Sequence, residues 1–423
     1  MYLTRRYFLQ STGAIAAYCG LAPLSVFAEE KPENQEVKRN KTLVFIFLRG
    51  GMDGLNCIVP YGDPAYYQLR QSIVIPKPGQ DKGALDLDGF FGLNPRLNLL
   101  YPYFQSGQAT ALHAVGYANN TRSHFEEQDV WETGVTGNTI NSDGWLNRHL
   151  MTSQGYGTLR AISVGDNLPR ILRGKAQAYA IRGLEDLTLP ESKTDPNQIM
   201  NALERVYTNS EMQQRSEAKE LLSQAGKTTL AGIRELSSVI KEKYQPRATY
   251  PNQDLANRLK EVARLIKANV GLEVAEIDYG GWDTHQNQGG TDGAYGNLIQ
   301  GLGDALAAFM ADLEQQLENV LIVTVSEFGR TAAQNGTNGT DHGWGNCMMV
   351  MGGSVPKARA QNNKPVLTTW PGLSLEQLYQ QRDLLHTTDF RDVFGEIVKN
   401  HLGNPNLQTV LPNHSFNNVG VII

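Results

Sequence analysis

The stretch LVFIFLRGGMDGLN, residues 43–56, decides the fold class of this chain. Its opening run, LVFIFL, is apolar without interruption, which is typical of a strand covered on both faces in a parallel sheet. Two further runs, LEVAEID at 272–278 and VLIVTV at 320–325, have the same character. Weaker strand candidates lie at 110–116, 159–165 and 346–353.

Helical periodicity fills the segments between these strands. Apolar residues recur at spacings of three and four in two stretches: Leu255, Leu259, Val262 and Ile266, then Leu298, Leu302, Leu306, Phe309, Leu313 and Leu317. The alternation of helix and strand is that of right-handed crossover units. We therefore predict an α/β fold, one domain over residues 41–423 with a mostly parallel central sheet and helices on both faces.

The N-terminal residues predict export. Arg5 and Arg6 precede a mildly apolar stretch that is too short to remain in a bilayer, which indicates a twin-arginine signal peptide at 1–28. A polar linker is predicted at 29–40, and a helical insertion at 195–244 that is either a solvated helix pair or a lid. We expect export of the folded protein by the twin-arginine machinery, to the periplasm or the medium, without a stable membrane span.

Composition narrows the class of protein further. The 423 residues are 40% hydrophobic, which is enough for a large core. The net charge of −5 excludes the basic surface of a nucleic-acid binder. After the signal, only Cys57 and Cys347 remain, so the fold does not depend on a disulfide framework.

Polar clusters follow three of the predicted strands. Asp53 lies in the first, RGGMDGLN, and Asp283 and His285 lie in the second, YGGWDTHQNQ. The third, SEFGRTAAQNGTNGTDHGWGN, carries Glu327, Arg330, Asp341 and His342. Ligands of open α/β sheets bind at the carboxyl ends of strands, so these clusters predict one site.

Carboxylates mixed with imidazoles suit zinc, manganese or iron, and oxygen-only subsets suit magnesium or calcium. If the loops only cap the sheet, no metal is expected.

A fourth segment, GYANNTRSHFEEQDVWETG, follows the strand candidate at 110–116 and opens a predicted helix. Ser123 or Thr121 is the expected N-cap, with Glu126 completing a capping box. The same position at a helix N-terminus also favours an anion. Ser123 is therefore a candidate nucleophile, with Arg122 beside it, and His124 is a candidate ligand or substrate-binding residue.

Seven motifs carry a family resemblance: LRGGMDGLN, RSHFEEQDVWETG, DGWLNR, GGWDTHQNQ, SEFGRT, NGTDHGWGN and TTDFRDV. In this order, behind a twin-arginine signal, they resemble a large bacterial family of exported proteins of unknown function. That family is similar to the alkaline phosphatase and sulfatase superfamily, whose members act on phosphate or sulfate esters at one or two metals.

The resemblance implies a role for several residues. Asp53 matches the first metal ligand, Ser123 the nucleophile, and Asp283 with His285 a later pair of ligands. His342 corresponds to the final histidine, with Asp341 beside it. Where the superfamily has Asp-His at the end of the late strand, this chain has Glu327 and Phe328. No formylglycine motif of the Cys-x-Pro-x-Arg type is present.

The leading hypothesis is an exported metal-dependent hydrolase of a phosphate or sulfate ester, small or polymeric. Its divalent metal, zinc or one of manganese, magnesium and calcium, is expected on Asp53, Asp283, His285, Glu327 and His342 or a subset. Substrate contacts are expected from Arg49, His124, Arg330 and Asp341. The alternative is a catalytically degenerate protein that binds a metal or a cell-envelope polymer, to whose surface Trp131, Trp145, Trp282 and Trp344 would be suited.

Overall fold

The structure is a computed structural model that describes residues 41–137, 142–157, 159–184 and 243–423, with positions 205, 226, 230, 236, 239 and 240. The predicted signal peptide, the polar linker and most of the predicted insertion at 195–244 lie outside the described residues. Among the described helices, none is long and apolar enough to cross a membrane.

A nine-stranded sheet forms the centre of the fold, as the apolar runs predict. Its strands are β1 Thr42–Leu48, β5 Ala109–Gly116, β6 Ala161–Val164, β7 Tyr179–Ile181, β8 Val274–Tyr279, β9 Val320–Val325, β10 Asn346–Gly352, β11 Val366–Leu367 and β12 Thr388–Asp389. Their order is β11-β5-β10-β9-β1-β8-β6-β7, with β12 also beside β5. All pairs are parallel except those of β10, which runs antiparallel to β5 and β9. A separate small sheet pairs β2 Ile58–Val59, β4 Gly92–Leu93 and β3 Leu85–Asp86.

Strand β1 shows why an uninterrupted apolar run was needed. Successive side chains of a strand point to opposite faces of the sheet. Val44, Ile46 and Leu48 enter one hydrophobic core, whereas Phe45 and Phe47 enter the other. Both faces of β1 are therefore covered, and the predicted α/β class is confirmed.

Helices cover both faces of this sheet. Their bounds are Gly54–Cys57, Pro64–Leu69, Tyr101–Gln105, His124–Thr133, Trp145–Thr152, Asp254–Ala268, Ala294–Leu313, Val355–Asn362, Phe390–Glu396 and Leu407–Val410. Short 3-10 segments lie at Pro95–Leu97, Arg170–Leu172 and Glu314–Asn319, and a π-helical turn at Ile397–His401. The helices Asp254–Ala268 and Ala294–Leu313 pack on one core, and Phe390–Glu396 packs on the other.

The predicted periodicity holds with one correction. Leu255, Leu259 and Val262 are all buried on the inner face of their helix. The second helix ends at Leu313, earlier than the periodic residue Leu317, because Glu314 adopts a left-handed φ of 47°. A non-glycine residue at positive φ does not continue a right-handed helix.

The four tryptophans with a possible role on the surface are instead core residues. Trp131, Trp145, Trp282 and Trp344 are all buried. Trp131 and Trp145 stack on the phenylalanines of the helix Phe390–Glu396. The expectation that they form a polymer-binding surface is wrong, since stacking on other rings satisfies these large side chains.

The polar loops converge at one end of the strands, and the antiparallel strand β10 contributes to this arrangement. Strands β1, β5, β8 and β9 are parallel, so their carboxyl ends lie at the same edge. Because β10 runs the other way, the loop at 326–345 both leaves and re-enters the sheet at that edge. The predicted polar clusters are therefore brought to one side of the molecule.

Candidate metal centre

Three imidazoles converge on one carboxylate oxygen at this edge. The Nε2 atoms of His285, His342 and His124 lie 3.0, 3.1 and 3.5 Å from Oδ1 of Asp283. The Nε2 atoms of His285 and His342 are 3.1 Å apart. Ligand atoms of His124, Asp283 and His342 lie within 4.8 Å of one another, so these three residues could hold a metal ion. The cluster joins the loops that follow β5, β8 and β9.

Each imidazole is oriented by an oxygen behind its other nitrogen. Nδ1 of His124 lies 2.8 Å from Oε1 of Glu327, and Nδ1 of His285 lies 2.9 Å from Oδ1 of Asp341. Nδ1 of His342 lies 2.8 Å from the carbonyl oxygen of Arg122. Ionised carboxylates and carbonyls only accept hydrogen bonds, so each neutral ring carries its proton on Nδ1. This arrangement is typical of histidines that bind metals.

The two supporting carboxylates and Asp283 are ionised. Burial acts to raise the pKa of Glu327, but hydrogen bonds from His124 and Gln128 outweigh it and lower the pKa to about 2. Partial burial acts in the same way on Asp283, and the hydrogen bond and charge of Arg330 outweigh it, so its pKa falls to about 2. The hydrogen bond from His285 lowers the pKa of Asp341.

These protonation states leave the centre of the cluster without a donor from the imidazoles. Three Nε2 lone pairs and a carboxylate oxygen face one another, and Nε2 of His124 is buried without a hydrogen-bond partner. When all three rings are neutral, such an arrangement is repulsive unless a cation lies among the four atoms. The hydrogen bond with Glu327 raises the pKa of His124, so an added proton on that ring can relieve the repulsion as well. Tetrahedral zinc with bonds of about 2.0–2.1 Å separates its ligand atoms by about 3.3 Å. The three distances to Oδ1 of Asp283, 3.0 to 3.5 Å, are close to that separation, and the residues whose ligand atoms all lie within 4.8 Å of one another are His124, Asp283 and His342.

Arg330 holds the carboxylate of Asp283 in place through a direct ion pair. Its guanidinium is fully buried and donates to Oδ1 of Asp283 at 2.7 Å. It also donates to the carbonyl oxygens of Gly50 and Gly51 in the loop after β1. Gly50 has a φ of 119°, and a side chain there would place Cβ 2.7 Å from the backbone nitrogen of Asp283. Arg330 is thus placed to position Asp283, and the substrate contact predicted for it stays a prediction.

The backbone of Arg122 is strained at the point where it contacts His342. Its φ is 60°, a left-handed conformation that is uncommon for residues other than glycine. The guanidinium is paired with Asp383 at 2.6 Å and with Gln380 at 2.7 Å. These contacts fix the carbonyl oxygen that orients His342. Strain of this kind is concentrated at functional sites.

Ser123 lies directly before His124 and is the N-cap residue of the helix His124–Thr133. Its side chain makes no capping hydrogen bond, so the predicted capping box with Glu126 does not form. Glu127, rather than Glu126, reaches back and accepts from the hydroxyl and amide of Thr121. The Ser123 hydroxyl is therefore not used by the helix terminus.

Asp53 does not join the imidazole cluster. Its side chain is fully buried, and Oδ2 accepts from Arg70 at 2.6 Å and from Gln288 at 2.6 Å. Arg70 is buried as well and also donates to Asn56 and to two carbonyl oxygens of the loop after β9. The carboxylate is thus neutralised by a guanidinium.

Arg49 lies beside a second feature, a polar cavity of about 620 Å³. Its guanidinium contacts Asp278 at 2.5 Å, Glu132 at 3.2 Å and Gln128 at 3.0 Å. Gln128 also donates to Glu327 at 2.9 Å, so it connects Arg49 with the carboxylate behind His124. The substrate contact predicted for Arg49 stays a prediction.

Three supporting residues were not identified from the sequence: Gln128, Asp383 and Arg70. Gln128 had a usable signal, because it lies four residues after His124 and hence on the same face of the helix. Asp383 and Arg70 had none, since both act through contacts between segments that are distant in sequence.

A model of the family described as "Protein of unknown function (DUF1501)" matches residues 106–405. The chain belongs to this family. The DUF1501 match includes all four residues of the cluster, whereas Arg49 and Asp53 precede it. Membership agrees with the resemblance that the ordered motifs carry.

No curated protein matches the sequence. The solved structures similar to this chain include the C-terminal periplasmic domain of EcEptC from Escherichia coli in complex with Zn, at 10% identity and a TM-score of 0.36 over 77% of both chains. The PsFucS1 sulfatase from Pseudoalteromonas sp. is 15% identical, with a TM-score of 0.30 over 74% of this chain and 62% of that chain. The alkaline phosphatase from the Antarctic bacterium TAB5 is 8% identical, with a TM-score of 0.29 over 76% and 94%. These TM-scores are low, and the fold class rests on the sheet itself.

Proposed function

We propose that this protein is exported and uses one divalent metal ion, held by His124, Asp283, His285 and His342, to hydrolyse a phosphate or sulfate ester. The observation that carries the proposal is the convergence of three Nε2 atoms on Oδ1 of Asp283. Each Nδ1 already has an acceptor, so neutral rings direct their Nε2 lone pairs at this oxygen, an arrangement that a divalent cation would stabilise.

Zinc is the ion that this ligand set favours. Imidazole nitrogens suit zinc and other transition metals, whereas magnesium and calcium prefer oxygen ligands. The carboxylate and carbonyl behind the three rings fix their orientation and raise their basicity as ligands. A bound divalent ion would polarise an ester oxygen and lower the pKa of a nearby water or hydroxyl.

The residues of the chain supply the remaining chemistry. Ser123 is the candidate nucleophile, because it adjoins the ligand His124 and its hydroxyl makes no capping hydrogen bond. His285 is the most exposed of the three imidazoles, with 39% of its side chain accessible, so it faces the side from which a substrate enters. The sequence resemblance supports an anionic ester as the substrate class.

Metal analysis tests the centre directly. We expect about one zinc per chain in the native protein. We expect none in the double variant Asp283→Ala/His342→Ala, because it lacks two of the four proposed ligands. Asp392→Ala/His414→Ala is a matched control, because it removes another His–Asp contact, of 2.7 Å, outside the cluster. Native protein that stays free of zinc when the ion is supplied refutes the proposal.

Activity is tested on the zinc-loaded protein with aryl phosphate and aryl sulfate esters. The proposal predicts hydrolysis of at least one class, and loss of turnover in Ser123→Ala with the zinc content unchanged.

Export is tested by replacing Arg5 and Arg6 with lysine and fractionating the cells. The twin-arginine expectation predicts that the variant stays in the cytoplasm.

A second function, metal binding without turnover, is favoured by the number of ligands. Three imidazoles and one carboxylate complete a tetrahedral sphere, as in structural zinc sites, whereas catalytic sites keep an open position. X-ray absorption at the zinc edge distinguishes the two functions. A catalytic centre changes its spectrum when inorganic phosphate is added, and a closed centre does not.

A further inference from the structure

The guanidiniums around the centre differ in how many of their donors are already used. Arg330 is fully buried, and its donors go to Asp283 and to carbonyl oxygens. Arg122 is paired with Asp383 and Gln380. The donors of Arg330 are therefore used within the protein, as are Nε and Nη2 of Arg122.

Arg382 is different, because 40% of its side chain is accessible. Its Nη2 donates to the carbonyl oxygen of the ligand His342 at 2.7 Å, which places the guanidinium beside the cluster. Within the described residues, its nearest carboxylate is Asp383, whose Oδ2 is 3.7 Å from Nη1 and is already paired with Arg122. Nη1 and Nε are therefore available to another acceptor.

The backbone around Arg382 is built to hold it in this position. Tyr379 and Asp383 exchange two backbone hydrogen bonds, of 2.8 and 3.0 Å, and close a tight loop. Gln380 and Gln381 inside the loop both have left-handed φ values, of 52° and 55°. The carbonyl oxygen of Arg382 accepts from the amide of Ala332, in the loop after β9, at 3.0 Å. Consecutive strained residues that persist in a fixed loop are characteristic of functional sites.

The charges around the centre favour an anion once a metal is bound. Four carboxylates and three guanidiniums lie at or directly behind the cluster: Asp283, Glu327, Asp341, Asp383, Arg122, Arg330 and Arg382. They leave one net negative charge, which a divalent ion reverses to one net positive charge. Guanidinium donors match the geometry of tetrahedral oxyanions and bind them strongly.

We propose that Arg382 is the anion-binding residue of this centre, and that its Nη1 and Nε donate to the oxygens of a phosphate or sulfate group. This rests on the proposed function, because it places the anionic group of the ester at the metal. It is proposed in place of Arg330, whose donors all have partners within the protein.

The test is calorimetric titration of the zinc-loaded protein with inorganic phosphate and, separately, with sulfate. Arg382→Ala is expected to bind the anion about ten- to a hundredfold more weakly, since it loses a charged hydrogen-bond donor. Arg382→Lys is expected to bind with intermediate affinity, because it keeps the charge but not the fork of donors. Arg247→Ala is the control: an exposed arginine, with 65% of its side chain accessible, that makes one ion pair, to Glu314, at the opposite end of the strands.

Zinc content is measured on the same samples, so that the two proposals fail in different ways. If Arg382→Ala holds zinc and binds phosphate as tightly as the native protein, the role of Arg382 is refuted and the metal centre stands. If the native protein holds zinc and binds neither anion, the role of Arg382 is also refuted. If the native protein holds no zinc, the proposed function is refuted, and the role of Arg382, which rests on it, is refuted with it.

Discussion

Replacing Asp53 distinguishes a metal ligand from half of a buried ion pair. The side chains of Asp53 and Arg70 are both 0% exposed, and their charged atoms are 2.6 Å apart. In Asp53→Asn the guanidinium of Arg70 remains buried without a counter-charge. Removal of one partner of a buried pair typically costs about 3–5 kcal/mol of the free energy of unfolding. We expect about 3 kcal/mol, because Arg70 keeps neutral acceptors on Asn56 and two carbonyl oxygens.

The expected signature is a large loss of stability without a loss of metal. The free energy of unfolding is measured by urea denaturation of the zinc-free protein, and zinc content by metal analysis. The double variant Asp53→Leu/Arg70→Met is the control, since an apolar pair of similar volume recovers much of the loss. If Asp53→Asn loses its zinc and unfolds at the native urea concentration, Asp53 is a ligand and the ion-pair interpretation is refuted.

Three further predictions concern the support of the site and the sheet beneath it. Glu327→Gln is expected to weaken zinc binding about 10- to 100-fold in a chelator competition, because it weakens the acceptor behind His124. Glu126→Gln changes an exposed residue of the helix His124–Thr133 and should bind zinc as the native protein does. Gly50→Ala is expected to lower zinc affinity and the midpoint of urea unfolding, since its Cβ would meet the backbone of the Asp283 loop at 2.7 Å; Gly336→Ala, with no atom within 4 Å of its Cβ, should change neither, and equal effects would contradict the reasoning. Burial raises the pKa of Glu276 well above 4.5, as does the charge of Asp278. The folded state therefore holds this proton more tightly than the unfolded chain, and stability falls as the pH rises above 4.5. In urea titrations at pH 5 and pH 8, Glu276→Gln should lose less stability between the two values than the native protein, and an unchanged difference would contradict the assignment.

The sheet and the location of the site were predictable because both follow from local patterns. The apolar run of β9 ends at Val325, and the polar cluster begins one residue later. The sequence alone therefore shows which residues lie in the loop after this strand. The same holds for β1 and β8. Parallel strands then bring these loops together whatever their lengths, which is a property of the topology and not of any single residue.

The division into ligands and supporting residues was not predictable, because it depends on side-chain direction within a loop. Asp341 and His342 are adjacent, yet His342 contacts Asp283 while Asp341 lies behind His285. His124 was expected as a metal ligand or at the substrate and Glu327 at the metal, and in the structure the imidazole lies between Glu327 and Asp283. No periodicity indicates such reversals, since a loop has no fixed period.

Two carboxylates at this end of the sheet, Asp53 and Asp283, both contact a guanidinium but have different further neighbours. Asp53 is paired with the guanidinium of Arg70, which is part of the chain and cannot leave. Asp283 also contacts a guanidinium, that of Arg330, but three imidazoles present their lone pairs to the same oxygen. A permanent cation neutralises a carboxylate that helps to hold the fold, as Arg70 does between the loops after β1 and β9, although Oδ1 of Asp53 is buried without a hydrogen-bond partner. The lone pairs of neutral imidazoles directed at a common point are stabilised by a cation that comes from outside the chain, either a metal ion or a proton. This difference is the physical reason to expect one exchangeable metal in this protein and to place it at Asp283 instead of Asp53.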